Sequence, residues 1–408
     1  MLSTLIVRFN VSTSSAAMSS TSATKSWLLL ASILLLAATL RAPITSLGPV
    51  LLDIQSALGI DARVAGLLHA TPLVIFAVVA LAAPAIGRKM GIARAIWFAL
   101  ILIVAGTTVR SISGAGLIWL GTAALSTGIA ICNVLLPGFV KQKFGAKGPG
   151  VIGLYVAAMA VMAGVATGVA VPIATAPGFD WHWSIGIWAI PALAALLLWL
   201  PQLKTDAAGT QAKGTSMPAA SPWASSKGWQ IAIFFALHSF VFYCVIDWYT
   251  AYASVHAISP ATAGLYLLLY QIVSTVANIT TGPMIKRQSD QAAMGFACGL
   301  VMVAGSCGLL FQPELSIVWM VLLGLSAGVS MVLSISLFGL RTHSPEQAAK
   351  VSGMAQFFGY AIAALGQVGV GMLHETSQSW TGPLVLMVAA SVGVMIFAAM
   401  AGRTGYVE

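Results

Sequence analysis

The stretch WLLLASILLLAATLRAPITSLGPVLL, residues 27–52, places one cation inside an otherwise apolar segment. Its first 14 residues carry no charge, and as a helix they span about 20 Å of a bilayer core that is about 30 Å thick. Arg41 follows before the helix reaches the far side. A guanidinium at that depth costs from about 3 to more than 10 kcal/mol without polar partners, so we expect Arg41 to face the protein interior and to carry function. A structural ion pair, or an arginine that reaches the outer headgroups, is the alternative.

Three residues that follow Arg41 disturb a regular helix. Pro43 and Pro49 lack the backbone N–H that a helix needs, and Gly48 lowers helix stability. We therefore predict a first helix that bends or loosens near its outer end, as a moving part would.

Composition identifies an integral membrane protein. The chain has 408 residues, of which 59% are hydrophobic and 7% are charged, and its mean hydropathy is +0.95. Soluble domains carry about 25% charged residues. The net charge of +9 is therefore interpreted as a sign of membrane topology, and no nucleic-acid partner is expected. The four cysteines lie in apolar segments without metal-binding spacing, which predicts free thiols.

Apolar windows separated by short breaks predict an all-α protein with twelve membrane helices. The helices are expected at 27–52, 62–86, 94–111, 115–139, 150–173, 181–201, 229–253, 261–285, 291–311, 315–340, 349–372 and 380–402. The predicted organisation is a disordered cytoplasmic tail at 1–26, an N-terminal bundle at 27–201, a cytoplasmic linker at 202–228, a C-terminal bundle at 229–403 and a short cytoplasmic tail at 404–408.

Lysine and arginine residues favour one orientation in the membrane. With the N-terminus inside, 16 of the 19 lie on the cytoplasmic side, Arg63 and Arg110 lie outside, and Arg41 stays within the membrane. Cytoplasmic loops of membrane proteins carry the excess of positive charge. Both termini are therefore predicted to be cytoplasmic in a multi-pass protein of the inner membrane.

The two halves of the chain repeat at an offset of 200 residues. The segments 119–141 and 319–341 align so that Trp119, Ser126, Gly128 and Lys141 match Trp319, Ser326, Gly328 and Arg341, and beyond them Gly153 falls on Gly353. Two parallel six-helix repeats are typical of a transporter whose central site lies between two rocking halves.

Polar side chains inside apolar helices are candidates for a solute path, because lipid offers them no partner. Gln271 begins a polar stripe on the eighth predicted helix, and Gln356 and Tyr360 share a face of the eleventh. Asn133 lies one turn before Pro137 in the fourth, where a kink could aim its amide at a solute. Each of these residues could instead hold helices together through hydrogen bonds worth about 0.6 kcal/mol.

The seventh predicted helix carries an acid, Asp247, with Tyr243 one turn before it and Trp248 beside it. Asp247 lies in the outer half of its helix, as Arg41 does in the first, and these two helices are repeat mates. We expect Asp247 to pair with Arg41 in a proton-coupling or gating role, since a carboxylate that alternates between protonated and paired states can link a proton to transport. An interfacial aspartate beside an aromatic belt is the alternative.

Motifs of enzymes and pumps are absent or out of context. GLSAG at 324–328 matches the GxSxG pattern but lies inside an apolar helix, and no GxxxxGK[ST] nucleotide loop or HExxH zinc motif occurs. We therefore expect neither catalysis nor ATP-driven pumping, and no cofactor.

The six-plus-six division and the basic loop PAIGRKMGIAR at 84–94 resemble the major facilitator superfamily. The loop keeps the glycines and basic pair of that superfamily's signature but lacks its acidic residue, and the partner loop at 282–290 is weaker still. The resemblance implies a major facilitator fold of two pseudo-symmetric six-helix bundles. It also implies that Arg88 and Arg287 stabilise the outward-facing state.

A narrower resemblance covers most of the chain. The segments LRAPITSLGPVLLDI at 40–54, GIAICNVLLPGFVKQKF at 128–144, SGMAQFFGYAIAALG at 352–366 and GMLHE at 371–375 are similar to the cyanate and 2-nitroimidazole transporter family. The chain departs from that family at Asp247, where apolar or small residues are usual. An added negative charge there could shift the site away from a simple anion.

These observations favour a secondary transporter that moves a small solute, such as a cyanate-like anion or a nitroimidazole-like compound, by alternating access. A proton is the candidate coupling ion, and a monomer is the expected unit. The expected binding residues are Arg41, Asn133, Tyr243, Trp248, Gln271, Gln356 and Tyr360, and the expected coupling or gating residues are Asp247, Arg88 and Arg287. A multidrug-type efflux carrier and a non-transporting membrane sensor are the alternatives.

Overall fold

A computed structural model describes residues 27–112, 114–204 and 221–408. These residues form helices and turns, and no strand occurs among them. The predicted tail at 1–26 and the middle of the predicted linker, residues 205–220, lie outside the described residues.

Helices follow one another closely along both halves of the described chain. The N-terminal half contains α1 (27–39), α2 (Ala42–Thr45), α3 (Leu51–Leu58), α4 (Ala62–Met90), α5 (Ile92–Arg110), α6 (Ala115–Phe144), α7 (Gly148–Ala174), α8 (Trp181–Gly186) and α9 (Ala189–Trp199). The C-terminal half contains α10 (Ser226–Ser254), α11 (Pro260–Lys286), α12 (Ala292–Phe311), α13 (Ser316–Leu340), α14 (Pro345–Ser377) and α15 (Thr381–Gly402).

The helices are long and apolar enough to cross a bilayer twelve times. Eleven stretches among the described residues have the length and composition of a membrane span, for which about 20 apolar residues are needed. One of them, Gly116–Ala174, is 59 residues long and consists of α6 and α7, with Gly145 at φ +48° in the turn between them. Dividing this stretch in two raises the eleven stretches to twelve crossings. The predicted number of membrane helices is confirmed.

The first crossing is broken at Arg41. Residues 40–41 form a turn after α1, and Pro43 stands at one of the first two positions of α2. Proline cannot donate a hydrogen bond to the carbonyl four residues earlier, so the helix does not run through this point. A short 3₁₀ turn, Gly48–Val50, then precedes α3. The predicted bend is confirmed, but the single helix expected at 27–52 is three separate pieces.

Helix pairs recur in the two bundles, as the sequence repeat predicts. In the N-terminal bundle α5 packs against α6 and α9, and in the C-terminal bundle α12 packs against α13 and α15. Two equivalent seams join the bundles, one between α4 and α14 and the other between α7 and α11. The structure is therefore two pseudo-symmetric six-helix bundles joined along two seams.

Glycines that match in the sequence repeat hold the backbones together at the two seams. A Cβ atom on Gly153 of α7 would lie 2.4 Å from the carbonyl oxygen of Asn278 in α11. A Cβ atom on Gly353 of α14 would lie 2.6 Å from the carbonyl oxygen of Ala80 in α4. Both distances are far below van der Waals contact, so only glycine permits this approach.

Both seams are tightest toward one end of the molecule. This end, the terminal face, carries the helix ends at Trp27, Met90, Phe144, Lys286 and Gly402, and the opposite end is called the distal face. At the terminal face the Nζ of Lys141 in α6 donates to the carbonyl oxygens of Gly339, at 2.7 Å, and of Thr342. It also donates to the Thr342 hydroxyl at 3.0 Å. The ammonium group of one bundle thus caps a helix end of the other.

The last residues fold back onto the C-terminal bundle at the terminal face. Val407 is fully buried, its N–H donates to the carbonyl of Arg341 at 2.9 Å, and its own carbonyl accepts from Gln347 at 2.7 Å. Arg341 donates to the carbonyl of Gly402 at 2.5 Å. Nearby, hydrogen bonds from the backbone N–H groups of Ala292 and Thr404 hold the pKa of Asp290 below its usual value. The residues predicted as a tail are therefore attached to the bundle.

Substituting either seam glycine by alanine is expected to destabilise the closed terminal face. Gly153→Ala and Gly353→Ala each push a methyl group into a backbone carbonyl, a form of overpacking that costs about 1–3 kcal/mol. The thermal unfolding midpoint of the purified protein in detergent measures the loss. Gly168→Ala is the matched control, because its Cβ would meet no atom of the described residues within 4 Å. Equal midpoints for the seam variants and the control would contradict the close backbone contact.

Candidate functional site

A small cavity lies between the two bundles at the level of the break in the first crossing. It is lined by Arg41, Asn133, Leu136, Tyr155, Met159, Phe235, Met331, Ile335, Gln356 and Tyr360. Four of the residues expected from the sequence are therefore brought together by helices from both halves of the chain.

Arg41 reaches this cavity because the helix is interrupted at its own position. The backbone carbonyl of Arg41 accepts hydrogen bonds from the N–H groups of Ile44 and Thr45, both at 3.0 Å, and so starts α2. The guanidinium is partly buried, and its electrostatic neighbours are the hydroxyl groups of Tyr243 and Tyr360 on the opposite bundle. Among the described residues no carboxylate forms an ion pair with it. Arg41 is thus a cation in a cavity wall with only neutral partners.

Asn133, Gln356 and Tyr360 link α6 to α14 beside Arg41. The amide of Gln356 donates to the backbone carbonyl of Asn133 at 2.9 Å, and the amide of Asn133 donates to the Tyr360 hydroxyl at 3.4 Å. The side-chain oxygen of Gln356 is buried without a hydrogen-bond partner in the described structure. The Tyr360 ring lies 5.0 Å from that of Phe76 in α4. Asn133 of the fourth predicted helix therefore meets the predicted polar face of the eleventh, and the Gln356 oxygen is left as a free acceptor in the described structure.

Six lining residues were not expected from the sequence. Tyr155 of α7 is one of them, and its aromatic hydroxyl in a strongly apolar helix was a signal that could have been used. The others are Leu136, Met159, Phe235, Met331 and Ile335. Apolar side chains that face a cavity look the same in a sequence as those that face lipid, so no pattern distinguishes them.

Two residues expected in the site lie elsewhere. Trp248 lines a separate apolar pocket inside the C-terminal bundle, with its ring 6.0 Å from that of Trp380. Trp248 is five residues after Tyr243, or about 140° around the helix, so the two side chains point in different directions. Gln271 is not among the lining residues either. Gln271 shares a face of α11 with Asn278 and lies about two turns closer than Asn278 to the distal face.

Asp247 does not pair with Arg41 in this conformation. The carboxylate side chain is exposed and forms no ion pair among the described residues. It lies one turn beyond Tyr243 on the same face of α10, on the distal side of the hydroxyl that neighbours Arg41. Tyr243 therefore occupies the position that the sequence argument assigned to the acid.

Arg88 and Arg287 lie at the terminal face, at the ends of α4 and α11. Both side chains are exposed, and neither forms a described hydrogen bond or ion pair across the bundles. The loop around Arg88 lacks an acidic residue that could form an ion pair with the guanidinium, and the side chain is exposed. Lys141, at the same face, does donate hydrogen bonds from one bundle to the other.

Comparison with known proteins agrees with this architecture. The Major Facilitator Superfamily model matches residues 28–367. An uncharacterized transporter, YycB of Bacillus subtilis, is 38% identical, with 94% of this chain and 95% of the relative covered. A 2-nitroimidazole transporter of Escherichia coli is 34% identical over 92% of this chain and 95% of its own length. The cyanate transport protein CynX of Escherichia coli is 27% identical over 89% and 94%.

A solved structure shares the fold at low sequence identity. The transporter FucP in its outward conformation superposes with a TM-score of 0.71 over 92% of this chain and 98% of its own, at 14% identity. The relatives are transporters and not enzymes, so the chain functions in membrane transport of a solute. From the family match over most of its length and from these relatives, the chain belongs to the Major Facilitator Superfamily, as a transporter of the cyanate and 2-nitroimidazole type.

Proposed function

We propose that the protein is a secondary transporter that carries a small anion or electron-rich polar solute through the cavity between its bundles, with Arg41 as the anchor. The observation that carries the proposal is the guanidinium of Arg41 in the cavity wall, which has tyrosine hydroxyls as neighbours and no carboxylate partner among the described residues. A planar guanidinium donates several hydrogen bonds and binds carboxylate-like or oxyanion groups well. A solute with negative charge or with several acceptor atoms completes this site.

The names of two relatives agree with that solute class. Cyanate, the solute named for one relative, is an anion, and the nitro group of 2-nitroimidazole, named for the other, offers two acceptor oxygens. Asn133 and Gln356 add amide groups near Arg41, and Tyr360 closes one wall. Tyr243 orients the guanidinium from the opposite bundle. These groups suit a solute of a few polar atoms held by one cation.

Transport by alternating access is supported by the uneven seams. Gly153, Gly353 and Lys141 hold the bundles together at the terminal face. The bias of lysine and arginine supports assigning this face to the cytoplasm, with both termini inside. We therefore assign the conformation as outward-facing, like that of FucP, and place the protein in the inner membrane as a monomer. Rocking of the bundles would open the terminal face and release the solute there.

Asp247 is proposed as the coupling or gating acid. It stands one turn beyond Tyr243 on the distal side, where a solute entering from outside passes before it reaches Arg41. Protonation would remove a negative charge that repels an anion from the entrance. A proton and an anion would then enter together.

An efflux carrier for a neutral nitroaromatic compound is the second candidate. The 34% identity to the 2-nitroimidazole transporter favours it, because a nitro compound can bind Arg41 without a net charge. Uptake and efflux use the same cavity, so the two candidates differ in direction and not in site.

Removing the Arg41 side chain is expected to lower transport strongly. Arg41→Ala should lower uptake of labelled cyanate or 2-nitroimidazole into proteoliposomes about 10- to 100-fold, because hydrogen bonds to a charged group contribute about 1.5–3 kcal/mol. Arg41→Lys should keep part of the uptake of the anion, since it keeps the charge but loses the planar fork. Lys89→Ala, which removes an exposed cation at the terminal face, is the control. Full uptake by Arg41→Ala would overturn the site assignment.

Coupling to protons is tested at Asp247. Wild-type uptake is expected to rise when the lumen is alkaline relative to the outside, and Asp247→Asn should lose that response, because its side chain cannot titrate. Exchange of solute at equal pH should persist in the variant. A gradient response that survives Asp247→Asn would exclude this residue as the coupling group.

Lys141, rather than Arg88, is expected to hold the two bundles together at the terminal face. Lys141→Met removes the hydrogen bonds to Gly339 and Thr342, which should increase opening of that face about tenfold. The measurement is the rate at which a charged maleimide, added from the cytoplasmic side, labels Ala349→Cys in a cysteine-free background. Ala349 is buried and faces Gly138 across the bundles. Faster labelling in Arg88→Met but not in Lys141→Met would show instead that the loop around Arg88 holds the terminal face closed.

A further inference from the structure

Arg110 is a buried arginine of the N-terminal bundle, and it lies behind Arg41. It is the last residue of α5, and its side chain is 1% exposed. From the sequence Arg110 is expected among the charges outside the membrane, but its guanidinium points into the N-terminal bundle. A buried cation that the proposed transport mechanism does not use needs its own explanation.

Its hydrogen bonds go to two places where helices are interrupted. The Nη2 of Arg110 donates to the carbonyl oxygen of Pro43 in α2, and to that of Ile185 in α8 at 3.3 Å. Carbonyls in the last turn of a helix lack a partner within the helix, and both α2 and α8 are single short turns. Arg110 therefore adds a hydrogen bond to a carbonyl of each of these two short helices, and the Pro43 carbonyl also accepts one from the Ser46 hydroxyl at 3.2 Å.

The arrangement is costly for the cation. No carboxylate forms an ion pair with Arg110 among the described residues, and its Nε–H is buried without a partner. Taking a charge out of water is costly, and no carboxylate among the described residues offsets that cost here. Packing alone therefore does not account for an arginine at this position.

The short helix α2 is attached from two sides. Arg110 binds Pro43 from α5, and the Thr45 hydroxyl donates to the carbonyl of Ala163 in α7 at 3.2 Å. The N–H of Thr45 in turn donates to the carbonyl of Arg41. The direction in which the Arg41 side chain leaves the backbone is thus set by a segment that is held at both ends.

We infer that Arg110 is a positioning residue for solute binding, because its hydrogen bond to the Pro43 carbonyl fixes the broken segment from which Arg41 reaches the cavity. Arg110 does not contact the solute. The inference deepens the proposed function and rests on it in one respect, the role of Arg41 as anchor. Gly121 of α6 allows the close approach of the end of α5, since a Cβ there would lie 2.4 Å from the backbone nitrogen of Arg110.

A labelling experiment tests the position of residue 41 without any solute. In a cysteine-free background, Arg41→Cys is labelled with a charged methanethiosulfonate reagent added from the distal side. Arg110→Met, which keeps the length but removes the donors, should change the labelling rate at least about threefold, and Arg110→Lys should change it less. Ser184→Ala is the matched control, because it removes a buried hydrogen bond from α8 to Ala170 without touching α2. The same rate in Arg110→Met, Arg110→Lys and the control would overturn the inference.

Transport kinetics test the consequence for the solute. With labelled cyanate and 2-nitroimidazole as probes, Arg110→Met should raise KM about tenfold and leave kcat within about twofold, since the anchor is misplaced but the rocking is not. In the Arg41→Ala background Arg110→Met should have no further effect, because both changes act through one interaction. Additive losses in the double variant, or a loss confined to kcat, would contradict positioning. If Arg41→Ala alone leaves transport intact, the proposed function fails, while the labelling result still decides the placement of Arg41.

Discussion

A polar group inside a bilayer must find its partner within the protein, because lipid supplies none. The broken first crossing obeys this constraint on both sides: the Pro43 carbonyl accepts from Arg110, and the Arg41 guanidinium lies beside the Tyr243 hydroxyl of the other bundle. The interruption costs helix hydrogen bonds, and the buried arginine behind it replaces one of them. The same interruption directs a cation into the cavity. The helix break and the solute site are therefore a single feature of the fold.

The two seams explain how such a site can be closed on one side. Gly153 and Gly353 bring backbones of opposite bundles into direct contact near the terminal face, and Lys141 adds an ammonium group over the end of α13. Closely packed interfaces of this kind switch between discrete arrangements, because protein interiors are dense and do not deform continuously. Movement at the seams is thus the means by which the cavity would change sides.

Only part of the candidate site could be identified from the sequence. Arg41, Asn133, Gln356 and Tyr360 were identifiable because polar groups in apolar helices need a reason, and they do line one cavity. Trp248 failed because neighbours in sequence lie on different faces of a helix. Arg110 was assigned to the outer surface because a helix end looks the same in sequence whether its side chain points outward or into the bundle. The apolar walls carried no signal at all.

The sequence by itself determined the membrane location, the twelve crossings, the repeat of two bundles and the interruption beside Arg41. Each of these follows from local chemistry: apolar length sets a crossing, an offset of 200 residues sets the repeat, and proline breaks a helix. Only the tertiary structure decided which side chains meet. It brought Tyr243 rather than Asp247 to Arg41, chose Lys141 rather than Arg88 to join the bundles, and turned Arg110 inward. Those choices depend on helix rotation and on the separation of the bundles, which side-chain spacing along one chain does not contain.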